Sequence, residues 1–181
     1  FGSDLSSVVT DHAAPGGELI QGTALADILI GNRGTDTAVG GGGQDVLRGG
    51  AGDDILEVGD LNFRRVVGGH GHDGLRLDAV GATLDLTAKS DNWITGIEQI
   101  DITSEGSTSG NTLLVDAQEV LRISGDRNLQ DDANTLLVIG DSDDAIQLPP
   151  GWAFQQGVLR FRSFPCEPLK AGRRLPACSP V

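Results

Sequence analysis

The chain has 181 residues and a formal net charge of -13, with 27 Gly, 20 Asp against 6 Glu, two Cys, no Met and no Tyr. That charge excludes a nucleic-acid footprint, which needs clustered Lys and Arg, and no apolar run is long enough for a transmembrane helix. Glycine at about 15% argues against a helical bundle, and 38% hydrophobic content argues against plain disorder, so an acidic, turn-rich β protein remains.

The sequence starts at Phe1 with neither an initiator Met nor a signal-peptide pattern, which reads as a piece processed from something longer. Residues 1–18 are polar and carry Pro15-Gly16-Gly17, a lead-in strand or linker. From Gly22 a nine-residue period sets in. Its units are Gly22-Thr-Ala-Leu-Ala-Asp27-Ile-Leu29-Ile, Gly31-Asn-Arg-Gly34-Thr-Asp36-Thr-Ala38-Val, Gly40-Gly-Gly-Gly43-Gln-Asp45-Val-Leu47-Arg and Gly49-Gly-Ala-Gly52-Asp-Asp54-Ile-Leu56-Glu. A fifth, Gly68-Gly-His-Gly71-His-Asp73-Gly-Leu75-Arg, follows ten intervening residues, Val58 to Val67. Position six is Asp in all five, and the last three units fit G-G-x-G-x-D-x-U-x at every specified place.

The spacing has a physical reading. Six residues make a turn and three a short strand, with glycine allowing positive φ and close backbone approach. The apolar residue at position eight points inward and its neighbours outward. Two units make one coil, so turns stack on two sides of a flattened solenoid. Asp27 then lies near Asp45, and Asp36 near Asp54. Bare carboxylates so placed repel, and a hard cation between them removes the repulsion. Calcium takes six to eight oxygens in flexible geometry, backbone carbonyls included, whereas magnesium demands a tight octahedron. Zinc wants Cys or His, and this region offers only His70 and His72.

These units resemble the RTX, or hemolysin-type calcium-binding, repeat family over residues 22–76. The resemblance implies an all-β fold, a right-handed parallel β-roll with calcium between stacked turns. By position it implies the ligands Asp27, Asp36, Asp45, Asp54 and Asp73, with carbonyl candidates at Gly31, Gly41, Gly43, Gly50, Gly52, Gly69 and Gly71. The first unit lacks two of the three consensus glycines, which points to a weak or empty site at Asp27. Asp53, at position five, should point away from the ion. Val58–Val67 reads either as a variant turn and strand that keeps Asp73 beside Asp54 and sets Asp60 opposite Asp45, or as a bulge loop with a solvated Asp60.

Past residue 76 alternating stretches continue at 83–87, 97–103, 111–116, 120–124 and 135–139, with turns at 90–92, 105–110, 125–128 and 140–144. They suit a continued solenoid or a small sandwich, and one short helix is possible at 117–121. The stretch from Ile94 to Leu137 resembles the extension that follows RTX repeats in some very large bacterial surface proteins. It would cap the roll, as solenoids require of their end units. From Pro149 the character changes. Residues 159–181 hold five Lys and Arg against Glu167 alone, about +4 by count, and both cysteines, Cys166 and Cys178. The tail lies on the acidic roll, binds an anionic surface or is a poorly ordered end, and the cysteines are either bridged or two thiols. The expected organisation is thus a lead-in at 1–18, a calcium-binding roll at 19–80, a β-rich cap at 81–148 and a basic tail at 149–181.

No zincin or serine-elbow motif is present. The pairs Asp131-Asp132 and Asp143-Asp144 read as solvated turns, with a minor extra cation site conceivable at Asp141 and Asp143, and Trp93 and Trp152 read as packing residues. The expectation is a non-catalytic module of a secreted or cell-surface bacterial protein. Its partners are calcium and further domains of a larger parent chain. The alternative is the calcium-dependent, non-catalytic domain of a secreted RTX enzyme or toxin.

Overall fold

In a computed structural model of the chain, the described residues are 7–10, 16–88, 92–103, 109–124, 136–148 and 159–160. The basic tail apart from 159–160, with Cys166 and Cys178, and also Trp152, Asp131-Asp132 and the turns at 105–108 and 125–128 lie outside them.

Each nonapeptide folds as its pattern dictates. Position eight is buried to 1% exposure or less in every unit, at Leu29, Ala38, Leu47, Leu56 and Leu75, while positions seven and nine face outward or are half-buried, apart from the buried Gly74. The strands are β1 (Ser7–Thr10), β2 (Leu19–Gln21), β3 (Asp27–Arg33), β4 (Thr37–Val39), β5 (Val46–Ala51), β6 (Ile55–Val58), β7 (Arg65–His70) and β8 (Gly74–Leu77). They alternate between two parallel sheets. One runs β1-β3-β5-β7 and the other β2-β4-β6-β8, with partners 18 residues apart within the repeat, as in Ile28 with Val46 and Thr37 with Ile55. Inward side chains stack in continuous ladders, Leu29, Leu47 and Val66 on one wall and Ile20, Ala38, Leu56 and Leu75 on the other. This is an all-β parallel β-roll. Its ladders reach back to Ser7, within the lead-in segment.

Val58–Val67 forms a variant coil whose end, Arg65–Val67, opens β7. One extra residue shifts the pairing to 19, and Asp45 O accepts from both Arg64 N (2.8 Å) and Arg65 N (3.2 Å), a bulge that absorbs the insertion. Phe63 stacks on Trp93 with ring centroids 4.3 Å apart, and the Trp93 indole donates to Phe63 O.

From here the coil gains a third strand. β9 (Thr83–Asp85), β12 (Thr112–Leu114) and β14 (Ala145–Gln147) make a third parallel sheet, while β10 (Ile94–Thr95) joins the first sheet and β11 (Gln99–Asp101) and β13 (Leu137–Ile139) the second. β15 (Leu159–Arg160) ends the second sheet antiparallel to β13. The extension is therefore a continued solenoid.

The alternation at 120–124 is a helix, not a strand: α1 spans Ala117–Ile123. Asp116 caps it, accepting from Gln118 N and Glu119 N, and Glu119 pairs with Arg122 one turn on. Val120 and Ile123, three apart, are its buried apolar side chains among the described residues. In chain order α1 takes the place of a strand of the first sheet and packs on β10, with Ile97 N donating to Ile123 O at 3.0 Å.

Positive φ recurs at positions two and four, at Asn32, Gly34, Gly41, Gly43, Gly50, Gly52, Gly69 and Gly71. Gly52, at φ 132°, lies so close to the coil before it that a Cβ would run into Gly34 O. Gly52→Ala should cost about 1–3 kcal/mol from conformation alone. Calorimetry in calcium should find the melting point lowered by several degrees. Gly16→Ala, with nothing within 4 Å of a Cβ, should leave it unchanged.

Candidate metal centre

The turn geometry buries a charge at every coil. Asp27, Asp36, Asp45, Asp54 and Asp73 are all 1% exposed or less. In each stack one carboxylate oxygen holds the neighbouring coil: Asp45 Oδ1 accepts from Asp27 N (2.9 Å), Asp54 Oδ1 from Asp36 N (2.8 Å) and Asp73 Oδ1 from Asp54 N (2.9 Å). The second oxygen is a different matter. Asp36 Oδ2, Asp54 Oδ2 and Asp73 Oδ2 are buried and have no hydrogen-bond partner among the described residues. A buried carboxylate oxygen in that state costs several kcal/mol unless something positive answers it.

The backbone supplies more oxygens at the same place. A Cβ on Gly31 would sit 2.5 Å from both Asp36 Oδ2 and Gly49 O, and one on Gly22 would sit 2.6 Å from Gly40 O and 3.0 Å from Asp27 Oδ2. Two acceptors converging on one point with no side chain between them suit a hard, oxygen-seeking cation. The position-two and position-four carbonyls also point at the next coil: Gly50 O faces Gly69, Gly52 O faces Gly71, and Gly41 O accepts from Gly59 N at 2.6 Å. Among the described residues no three His, Cys, Asp or Glu side chains form a group that could hold a metal ion. The oxygens these turns offer are paired carboxylates and main-chain carbonyls, a set that suits calcium far better than zinc.

Electrostatics say the same. Burial pushes the Asp45 and Asp54 carboxyls up to about 6 and Asp73 to about 7, against an ordinary 3.8. The backbone N–H from the neighbouring coil pulls each down, and neighbouring carboxylates push them back up: Asp27 and Asp60 on Asp45, Asp36 and Asp53 on Asp54, and Asp54, Glu98 and Asp53 on Asp73.

The expected ligands are not equivalent. Asp27 Oδ2 already accepts from Thr23 N (2.6 Å) and Thr23 Oγ1 (2.9 Å). Thr23 stands where the third, fourth and fifth units have glycine, and its donors take up that oxygen. Asp60 accepts from Gly43 N at 3.2 Å and from Asn62 N at 2.7 Å, beside Asp45. Asp53 turns to the surface and accepts from His72 N at 2.8 Å. Asp141 and Asp143 are exposed, and it is Asp144 that turns inward, accepting from Asn111 N at 2.6 Å.

Two acids escape the sequence pattern. Glu18 holds position six of the coil before Gly22, its N–H donating to Asp36 Oδ1 at 2.9 Å. Glu98, 3% exposed, accepts from Asp73 N through Oε2 at 2.9 Å. Glu18, Asp36, Asp54, Asp73 and Glu98 thus form one column, and at the next rung of that sheet the place falls to Leu136, fully buried. Counting nine back from Asp27 would have found Glu18; nothing periodic points to Glu98.

The family model of the RTX calcium-binding nonapeptide repeat, in four copies, matches residues 15–60, about a quarter of the chain. Repeats of this kind bind calcium and are structural modules, not a catalytic family. No curated protein and no solved structure matches the chain.

Proposed function

We propose that this chain is a calcium-dependent folding module of a secreted or surface-exposed protein. The observation that carries the reading is the set of buried Oδ2 atoms at Asp36, Asp54 and Asp73, answered by no donor among the described residues. Asp36, Asp45, Asp54 and Asp73 would hold the ions, with carbonyls from Gly31, Gly41, Gly43, Gly50, Gly52, Gly69 and Gly71 and a contribution from Asp60. Asp27, served by Thr23, would hold one weakly. Bound calcium supplies the positive charge that lets these carboxylates stay ionised while buried. The chain's part is to bring two turns into register, present the oxygens and exclude water by stacking coil on coil. Binding free energy then becomes folding free energy. Extracellular calcium modules work at about 10⁻⁴ to 10⁻³ M, so the module would stay unfolded in a low-calcium cytosol and fold outside it.

Calcium titration followed by far-UV circular dichroism tests the site. Asp54→Ala removes one charged ligand and should raise the calcium midpoint about tenfold or more. Asp53→Ala, one residue away but facing out, should move it less than about threefold. Equal midpoints for Asp54→Ala and the parent chain would sink the assignment.

A further inference from the structure

The column of acids does not stop with the last nonapeptide. The pattern that joins repeat to repeat, a position-six N–H donating to the next position-six carboxylate, is repeated from Asp73 N to Glu98 Oε2. Glu98 lies 38 residues past the matched repeats, in the coil that carries β10 and β11. Its register partner confirms the place: Gln99, next in the chain, pairs with Gly74, next after Asp73.

A second, independent observation concerns the space between these coils. A Cβ on Gly68 would sit 2.5 Å from Asp73 Oδ2 and closer still to Gly96 O. This is the arrangement found at Gly31, where Asp36 Oδ2 meets Gly49 O. Asp73 is fully buried, and its Oδ2 has no hydrogen-bond partner among the described residues. Gly96 holds φ 63°, which turns its carbonyl toward Gly68. The extension has thus rebuilt the oxygen cradle of a repeat from a sequence, Trp93-Ile-Thr-Gly96-Ile-Glu98, that contains no repeat.

We propose that a further calcium site lies between the coil of Gly68 to Asp73 and the coil of Gly96 to Glu98, held by Asp73, Glu98 and the Gly96 carbonyl. This rests on the calcium reading of the repeats and extends it: the last ion bridges the roll and its cap, so that the cap is clamped by metal as well as by strand pairing. Glu98 makes this contact at the length the aspartates do, 2.9 Å, although the chain takes 25 residues to return from Asp73 instead of 18 or 19.

Native mass spectrometry of the full chain in calcium counts the ions. The parent chain should carry one more ion than Glu98→Gln, with both in the compact charge-state distribution. An unchanged count in compact Glu98→Gln overturns the inference and leaves the repeat sites standing. A parent chain with no calcium overturns both. Should Glu98→Gln fail to stay compact, Glu98→Asp decides: its shorter reach should weaken one step of the calcium titration about tenfold, and a titration identical to the parent's overturns the site.

Discussion

In chelator at neutral pH the chain should lose most of its far-UV β signal, and acidification to about pH 4.5 should restore part of it with no metal present. The first half follows from charge. At neutral pH the stacked carboxylates are asked to ionise while buried beside one another, and each Gly-rich turn adds backbone entropy to be overcome. The second half follows from the direction of the shifts. Asp45 and Asp54 sit near 6 in the fold and Asp73 near 7, all above their unfolded 3.8. A carboxyl raised in this way favours the folded state while it is protonated. Its contribution is complete below about pH 4 and is lost as pH rises through 6 and 7. A proton therefore does in acid what calcium does at neutrality. The two compete, so the calcium midpoint should climb as pH falls from 7 toward 5. Two outcomes would refute this: a chelated chain at neutral pH with an unchanged spectrum, or one that acid unfolds further.

The legible part of this molecule was the periodic part. Asp at every ninth residue with glycine at positions one, two and four is a code for turn and strand, and position eight marks the core side chains. Across the interruption the sequence left two readings open, and the variant turn and strand is the one adopted: a one-residue bulge at Arg64 and Arg65 preserves the side of the roll and keeps Asp73 beside Asp54. What the pattern could not reach is where the period changes. Once a third strand enters each coil, stacked partners stand 25 to 38 residues apart, and no short window sees them. Glu98 is hidden for that reason. α1 was legible in part: a short helix at 117–121 is what Asp116 as cap and the Glu119–Arg122 pair favour, while the strand-like alternation of 120–124 conceals its last turn.

Asn111 shows what the same rung requires when no ion is intended, and Asn111→Asp should be among the most damaging single changes in the extension. Asn111 is fully buried at the position-six place of the third sheet. Its Oδ1 accepts from Ala82 N at 2.8 Å, as the aspartates accept from the coil before them. Where an aspartate has a second oxygen, Asn111 has an amide nitrogen, and it donates to Ala79 O at 2.7 Å and Ile102 O at 2.9 Å. Two carbonyls that elsewhere would face a cation are answered by a neutral donor. Aspartate at 111 would turn both contacts repulsive and bury a charge whose own N–H is already held by Asp144. The cost should be about 3–5 kcal/mol, a melting point roughly 6–20 °C lower at saturating calcium. Because the new carboxylate would face carbonyls just as Asp36 and Asp73 do, raising calcium further should recover part of that loss. Asn111→Ala, which removes the donors without adding charge, should be destabilised as well but should not respond to the added calcium. If Asn111→Asp melts with the parent chain, or if both variants respond to calcium alike, the amide is not standing in for an ion.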